Sequence, residues 1–337
     1  MNRLTAAVLI SAFICAPVHA EDDFGAADPK RPVSTYSIVA RDAETGEIGV
    51  AVQSHWFSVG SIVSWAEAGV GAAATQSFVE PAYGPRGLEA MRKGKDPAKT
   101  LAKLIDKDEN RNVRQVAYVD AQGRVAAHTG ENAIVHACDS QGEGYSVQAN
   151  LMEKETVCAA MAAAFEAAEG DLAERLMAAL EGAQSVGGDI RGKQSAAMTV
   201  VDGTRHANPW EGRVIDLRVE DHETPLAELR RLIVLNRAYN LMNKGDELVT
   251  AGDMEGANKA YAAAAEMAPG NHEMVFWRAV TLASVGEVGA SLPLFKEAFE
   301  AWPLWRELIP RLPAAGILPD DPDLIAQILT LGECQMN

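Results

Sequence analysis

Apolar and polar positions alternate from Thr35 onward. Tyr36-Ser37-Ile38-Val39-Ala40 predicts a strand, Ala43-Glu44-Thr45-Gly46 a turn, and Ile48-Gly49-Val50-Ala51-Val52 the returning strand. Residues 62–65 and 70–78 continue the strand rhythm, with Gly69 and Gly71 as punctuation. Asp96 and Pro97 form an N-cap and first-turn pair, and Leu101, Leu104 and Ile105 share one face behind them, which predicts a helix. A hairpin is predicted over 115–120 and 124–128 around Ala121-Gln122-Gly123, then a strand over 145–148. Two Ala/Leu/Met-rich helices are predicted over 155–169 and 171–181, split by Gly170, and two late strands over 196–201 and 213–219. The order strands, helices, strands, helices, strands predicts an α+β or layered sandwich rather than strict βαβ alternation.

After Pro225 the pattern becomes helical and repeats. Gly245, Ala257, Tyr261, Ala264 and Pro269 fall at the small, aromatic and proline positions of a tetratricopeptide repeat. Ala279, Ser291, Phe295, Ala298 and Pro303 fall at the same positions 34 residues on. Two repeats are fewer than usually stand alone, so this tail is expected to lean on the first domain or on a second copy in a homo-oligomer. Pro310, Pro313, Pro319 and Pro322 limit any longer helix near the end.

Residues 1–20 read as a secretory signal peptide. Arg3 gives the positive start, 4–15 the apolar run, and Val18-His19-Ala20 the cleavage positions. Residues 21–34 are polar, carry Pro29 and Pro32, and predict a flexible leader. The mature chain is therefore expected to be exported, to a periplasm or beyond. Cys138, Cys158 and Cys334 then remain. An oxidising compartment permits one disulfide among them; the other reading is small buried hydrophobes.

The 337 residues are 48% hydrophobic and 23% charged, an ordinary globular composition. A formal charge of −17, from 47 acids and 30 bases, leaves no basic excess to grip nucleic acid or anionic lipid. No stretch has the uninterrupted apolar length of a membrane-spanning helix. No metal is expected, since CxxC and HExxH are absent and the histidines are scattered, and GxSxG is absent too. No cofactor is expected either: Gly69-Val70-Gly71-Ala72-Ala73-Ala74 loosely mimics a dinucleotide fingerprint, but a strand follows where a helix is required.

Polar residues crowd into four segments that otherwise look buried: Gln53-Ser54-His55, Thr75-Gln76, Gln148-Ala149-Asn150 and 187–195. In the last, Gly187 and Gly188 permit a tight turn, Asp189 and Arg191 can pair, and Ser195 opens the next strand. Each alone reads as a loop or a structural hydrogen-bond network. Together with Thr35-Tyr36-Ser37-Ile38-Val39-Ala40-Arg41-Asp42, Tyr83-Gly84-Pro85-Arg86-Gly87, Arg114-Gln115, His128-Thr129-Gly130 and Leu172-Ala173-Glu174-Arg175-Leu176, they resemble the domain of unknown function 1028 over residues 35–202.

That family is placed in the N-terminal-nucleophile (Ntn) hydrolase superfamily. The resemblance implies an α+β fold, a four-layer αββα sandwich over 35–219; the repeat pattern adds an all-α helical-repeat tail over 226–337. It implies hydrolysis of a small amide or peptide-like substrate, with Thr35 as nucleophile and its own α-amine as base. Ser54, His55 and Asp189 would support the chemistry, and Gln53, Thr75, Gln76, Asn150, Arg191 and Ser195 would hold substrate or its oxyanion. Relatives often carry Lys at His55 and Gly at Ala149. Signal cleavage leaves Thr35 fifteenth in the chain, so a second cut before Thr35 or Ser34 is required. The competing reading is a non-catalytic secreted binder or scaffold whose helical repeats grip a protein or cell-wall partner. The enzyme reading predicts that Gln53 to His55, Asn150 and Asp189 to Ser195 converge within one cleft beside Thr35.

Overall fold

A computed structural model describes residues 32–331; the expected signal segment, most of the leader and Cys334 lie outside them. Ten strands are described: β1 (Thr35–Arg41), β2 (Ile48–Ser54), β3 (Ser64–Glu67), β4 (Gly71–Ser77), β5 (Arg114–Asp120), β6 (Val125–Thr129), β7 (Cys138–Gly142), β8 (Tyr145–Ala149), β9 (Ser195–Val201) and β10 (Arg213–Val219). The helices are α1 (Tyr83–Arg92), α2 (Pro97–Asp106), α3 (Val157–Ala167), α4 (Leu172–Ser185), α5 (Pro225–Thr250), α6 (Met254–Met267), α7 (His272–Ser284), α8 (Val288–Ala301), α9 (Trp305–Leu308) and α10 (Pro322–Leu329).

The strands form two antiparallel sheets, one ordered β10-β9-β2-β1-β8-β7 and the other β3-β4-β5-β6. Period-two alternation gives each sheet two apolar faces. Val39, Val50, Val52 and Ala197 of the six-stranded sheet meet Ala72, Ala74, Ala117 and Val119 of the other. The opposite face of the six-stranded sheet, with Tyr36, Ile38, Ala51 and Val147, is covered by Met161, Leu176, Leu180 and Leu229 of α3, α4 and α5. On the other sheet, Ala73, Val116 and Tyr118 pack under Leu88, Met91, Leu101 and Leu104 of α1 and α2.

Three local features differ from the expected pattern, each for a physical reason, and a fourth decides a point the sequence left open. Residues 59–61 wind a short 3-10 turn, with Val63 N–H donating to the Val59 carbonyl at 3.1 Å, so β3 starts at Ser64 rather than at 62. Strand β7 carries little apolar signal because it is an edge strand whose positions are half-buried or exposed. Helix α4 runs past Gly182 to Ser185 because the missing side chain lets α3 approach: a Cβ there would stand 2.8 Å from the Ala160 carbonyl oxygen. Cys138 of β7 is disulfide-bonded to Cys158 of α3, which decides between the two readings that the sequence left open.

Helix α5 belongs to two cores. Leu226, Leu229 and Ile233 pack beneath the sheet, whereas Ala238, Met242 and Val249 pack with Ala257, Tyr261 and Met274 of α6 and α7. Gly245 is small because the Tyr261 ring lies against it; a Cβ would come within 2.3 Å of that ring. Phe276, Ala279, Phe295 and Ala298 make a further core between α7 and α8. Arg230 and Arg237 of α5 are ion-paired with Glu174, Glu181 and Asp171 at α4. Among the described residues no helix is long and apolar enough to cross a membrane.

Candidate functional site

Strands β9, β2, β1 and β8 end or begin at one level. Register pairs Ser195 with Ser54 and Ser54 with Thr35, and the Asn150 N–H donates to the Thr35 carbonyl at 3.1 Å. Thr35, Ser37 and Val39 share the face turned toward the four-stranded sheet. Thr35 is fully buried, and its hydroxyl donates to the Val33 carbonyl at 2.7 Å. Val33 itself forms a bridge with Ser77 at the end of β4, so the segment before Thr35 crosses from one sheet to the other.

The carbonyl oxygen of Ser34, the residue before Thr35, accepts from two side chains. One donor is the Ser54 hydroxyl and the other is Arg191 Nη2, at 2.8 Å. Asp189 aims that guanidinium: its Oδ1 accepts from Arg191 Nε at 3.0 Å and its Oδ2 from Nη2 at 2.7 Å. The same carboxylate accepts from the Arg191 backbone N–H at 2.9 Å and from the His55 backbone N–H at 3.1 Å. Gly187 and Gly188 enter this turn at φ of 120° and 69°, a region closed to most side chains.

A second polar group fills the space between the sheets beside Thr35. Ser37 donates to Gln76 Oε1 at 2.6 Å and accepts from Gln148 Nε2 at 2.6 Å. Gln76 Nε2 reaches the Thr35 carbonyl at 3.2 Å and Gln115 Oε1 at 2.7 Å. Asn150 Nδ2 also donates to Gln115 Oε1, at 2.9 Å, while Gln115 Nε2 donates to the Ala149 carbonyl at 3.0 Å. Asn150 Oδ1 and Ser34 Oγ are buried without a hydrogen-bond partner. An orphaned buried polar atom is costly, about 1–3 kcal/mol, so these two atoms mark where a rearranged or bound group would be stabilised.

The structure thus brings Thr35, Ser54, Gln76, Asn150, Asp189 and Arg191 together around the 34–35 peptide. It places four other candidates elsewhere. Gln53 lies on the opposite face of β2, hydrogen-bonded to the Tyr36 hydroxyl, which also donates to Gln184 at 3.1 Å. Thr75 points toward α1, donating to the Glu80 carbonyl at 3.0 Å. The His55 side chain is exposed; only its backbone serves Asp189. Ser195 is bonded to the Trp56 carbonyl and the Val59 N–H, so it fixes the loop after β2.

Sequence reasoning gave no site role to Ser37, Gln115 or Gln148, although Gln148 stands in a polar segment it singled out. The available signal was a glutamine, with its two-ended amide, on the inward parity of three different strands. Tyr36 was missed too. Burial, and then the charge of Asp189, push its phenol well above the ordinary tyrosine value, so it stays protonated as a hydrogen-bond donor. Among the described residues no cluster of three or more His, Cys, Asp or Glu side chains is placed to hold a metal ion.

No curated protein matches this chain. A crystal structure of a protein from Silicibacter pomeroyi, assigned to the family DUF1028, is similar to it with a TM-score of 0.53 and 29% identity, covering 59% of this chain and 84% of that one. The signature of the family of unknown function DUF1028 matches residues 35–229, more than half of the sequence, and the chain belongs to that family.

Proposed function

We propose that this protein is an exported amide hydrolase of the N-terminal-nucleophile type, with Thr35 as nucleophile once the Ser34–Thr35 bond has been cut. The observation that carries the reading is the Ser34 carbonyl, held by the Ser54 hydroxyl and the Asp189-aimed Arg191 guanidinium directly before Thr35. Two donors on a carbonyl oxygen stabilise the oxyanion that forms when a nucleophile adds to its carbon.

In the uncut chain, addition of the Thr35 hydroxyl to the Ser34 carbonyl carbon would put the developing charge on that oxygen. Collapse would break the C–N bond, the nitrogen leaving as the Thr35 amine with the hydroxyl's proton. Water would then hydrolyse the resulting ester, giving a free Ser34 carboxylate and a free Thr35 hydroxyl. Thereafter the α-amine, with an ordinary pKa near 8, would serve as base for an incoming amide. The substrate carbonyl would take the place of the Ser34 carbonyl, and its acyl chain the space of Val33. The two sheets with helices on their outer faces support a four-layer αββα arrangement for this region. The Cys138–Cys158 bond supports an oxidising compartment, in keeping with the signal-like start of the sequence. The helix pairs α5/α6 and α7/α8, with Tyr261 and Phe295 buried against small residues, support tetratricopeptide-like packing and a protein or cell-wall partner for the tail.

The competing reading, a secreted binding or scaffold protein, is favoured by one observation: Thr35 is fully buried and its nitrogen is held in a peptide bond. Intact-mass measurement and N-terminal sequencing of protein exported by its host separate the two. The enzyme reading expects a start at Thr35, absent in Thr35→Ala, and hydrolysis of at least one member of a panel of small amides. A uniform start at Glu21 would establish the binder instead.

A further inference from the structure

Helix α2 buries Thr100, Leu101 and Leu104, which leaves Lys99 and Lys103 one turn apart on its rim, with Lys107 a turn beyond. Across from them stand Lys93 and Lys95, on either side of Gly94 at the end of α1. With Arg124 these residues line a cleft of about 600 Å³, a volume suited to a small ligand. Five of the chain's 11 lysines fall within 93–107, in a protein of formal charge −17, so overall composition does not account for them.

The cleft's cations are only partly neutralised. Glu89 is 2.5 Å from Lys93, Asp120 pairs with Arg124 at 2.6 Å, and Asp96 is 3.4 Å from Arg124 while its other oxygen caps α2 at the Lys99 N–H. Among the described residues, Lys95, Lys99 and Lys103 have no carboxylate within ion-pair distance. A second, independent observation points the same way. Thr100 lines the cleft, is 7% exposed, and its hydroxyl is buried with no hydrogen-bond partner. A ligand oxygen at that position would satisfy the hydroxyl and meet the free ammonium groups at once.

We propose that this cleft is a binding site for a small multivalent phosphorylated anion, separate from the Thr35 region. Lysine ammonium groups are compact charges with freely rotating donors and suit phosphoryl oxygens. The charge of the whole chain selects the size. A long polyanion or an anionic membrane would run from the basic cleft onto acidic surface and be repelled, whereas a small anion stays within the cleft.

The test is calorimetric titration of the full chain with pyrophosphate and with inositol hexakisphosphate, at low and high sodium chloride. Saturable one-to-one binding is expected, weakening steeply with salt. The double variant K99Q/K103Q should lose about tenfold or more in affinity and Thr100→Val about threefold, with unchanged circular dichroism because the lysines are on the surface. The proposal is overturned by any of four results: no saturable heat, unaltered affinity in K99Q/K103Q, citrate binding as tightly as pyrophosphate, or binding to phosphatidylglycerol vesicles or single-stranded DNA without binding to pyrophosphate.

Discussion

Replacing Asp189 by Asn tests the anchor of the candidate site with almost no change of shape. The Asp189 side chain is fully buried, and its two oxygens accept four hydrogen bonds, three from Arg191 and one from the His55 N–H. An amide keeps one acceptor and turns an NH2 group toward the donors on the other side. Two of the four bonds are then lost, one of them charge-assisted, at about 1.5–3 kcal/mol for the charged bond and about 1–3 kcal/mol for the stranded N–H. Arg191 is 27% exposed and His55 lies at the surface, so water recovers part of that loss. The expected net destabilisation is about 2–3 kcal/mol, below the full cost of breaking a wholly buried pair. For a domain of this size it lowers the thermal midpoint by about 5–10 °C. The assay is thermal unfolding of the full chain, alone and in a double-mutant cycle with Arg191→Gln. Glu255→Gln, whose pair with Lys259 is 81% and 75% exposed, serves as the control and should change stability by less than about 0.5 kcal/mol. A D189N midpoint within about 1 °C of wild type, or strict additivity with Arg191→Gln, would refute the reasoning. D189N should also slow release of the Thr35 terminus by about tenfold or more, since the guanidinium loses its aim. Normal release with a lowered midpoint would leave Asp189 a structural residue only.

Ser54→Ala removes the other donor to the Ser34 carbonyl and should slow the cut by about 10²-fold, read by intact mass over time; an unchanged rate would discard the oxyanion role. Asp108 and Arg114 form a buried pair at 2.8 Å, with the Tyr83 hydroxyl on the same oxygen at 2.9 Å. Burial works against the Asp108 charge, but hydrogen bonds from Arg114 and the Asn110 N–H outweigh it and hold its pKa below the ordinary value. A depressed folded-state pKa means stability that is fully present above about pH 4 and is lost as pH falls through the folded value. Asp108→Asn should therefore cost about 3 kcal/mol at neutral pH and progressively less in acid; denaturant titrations giving a pH-independent difference would contradict this. Reduction of Cys138–Cys158, which closes a loop across 20 residues, should cost about 3 kcal/mol. Equal denaturation midpoints with and without reductant would show that the bridge contributes nothing.

Much of the architecture is legible along the chain. Alternation from Tyr36 to Val52, the turn at Gly46 and the Asp96-Pro97 start of α2 are local signals, and the structure has those elements at those places. The pairing of Asp189 with Arg191 is local as well, two residues apart and set by one glycine-bounded turn. What the sequence by itself could not decide is which face a polar residue serves. Gln53 and Ser54 are neighbours in one polar triplet, yet Ser54 reaches the Ser34 carbonyl and Gln53 the Tyr36 hydroxyl on the far side of the sheet. Both faces of the six-stranded sheet are buried, one under the second sheet and one under helices, so both parities read as apolar and neither marks the site. The disulfide could not be chosen because its two cysteines stand 20 residues apart on different elements, and β7 was hidden because an edge strand with half-buried and exposed positions carries no apolar alternation. Period two fixes that adjacent strand residues part company; only the packing of layers decides which of them meets Thr35.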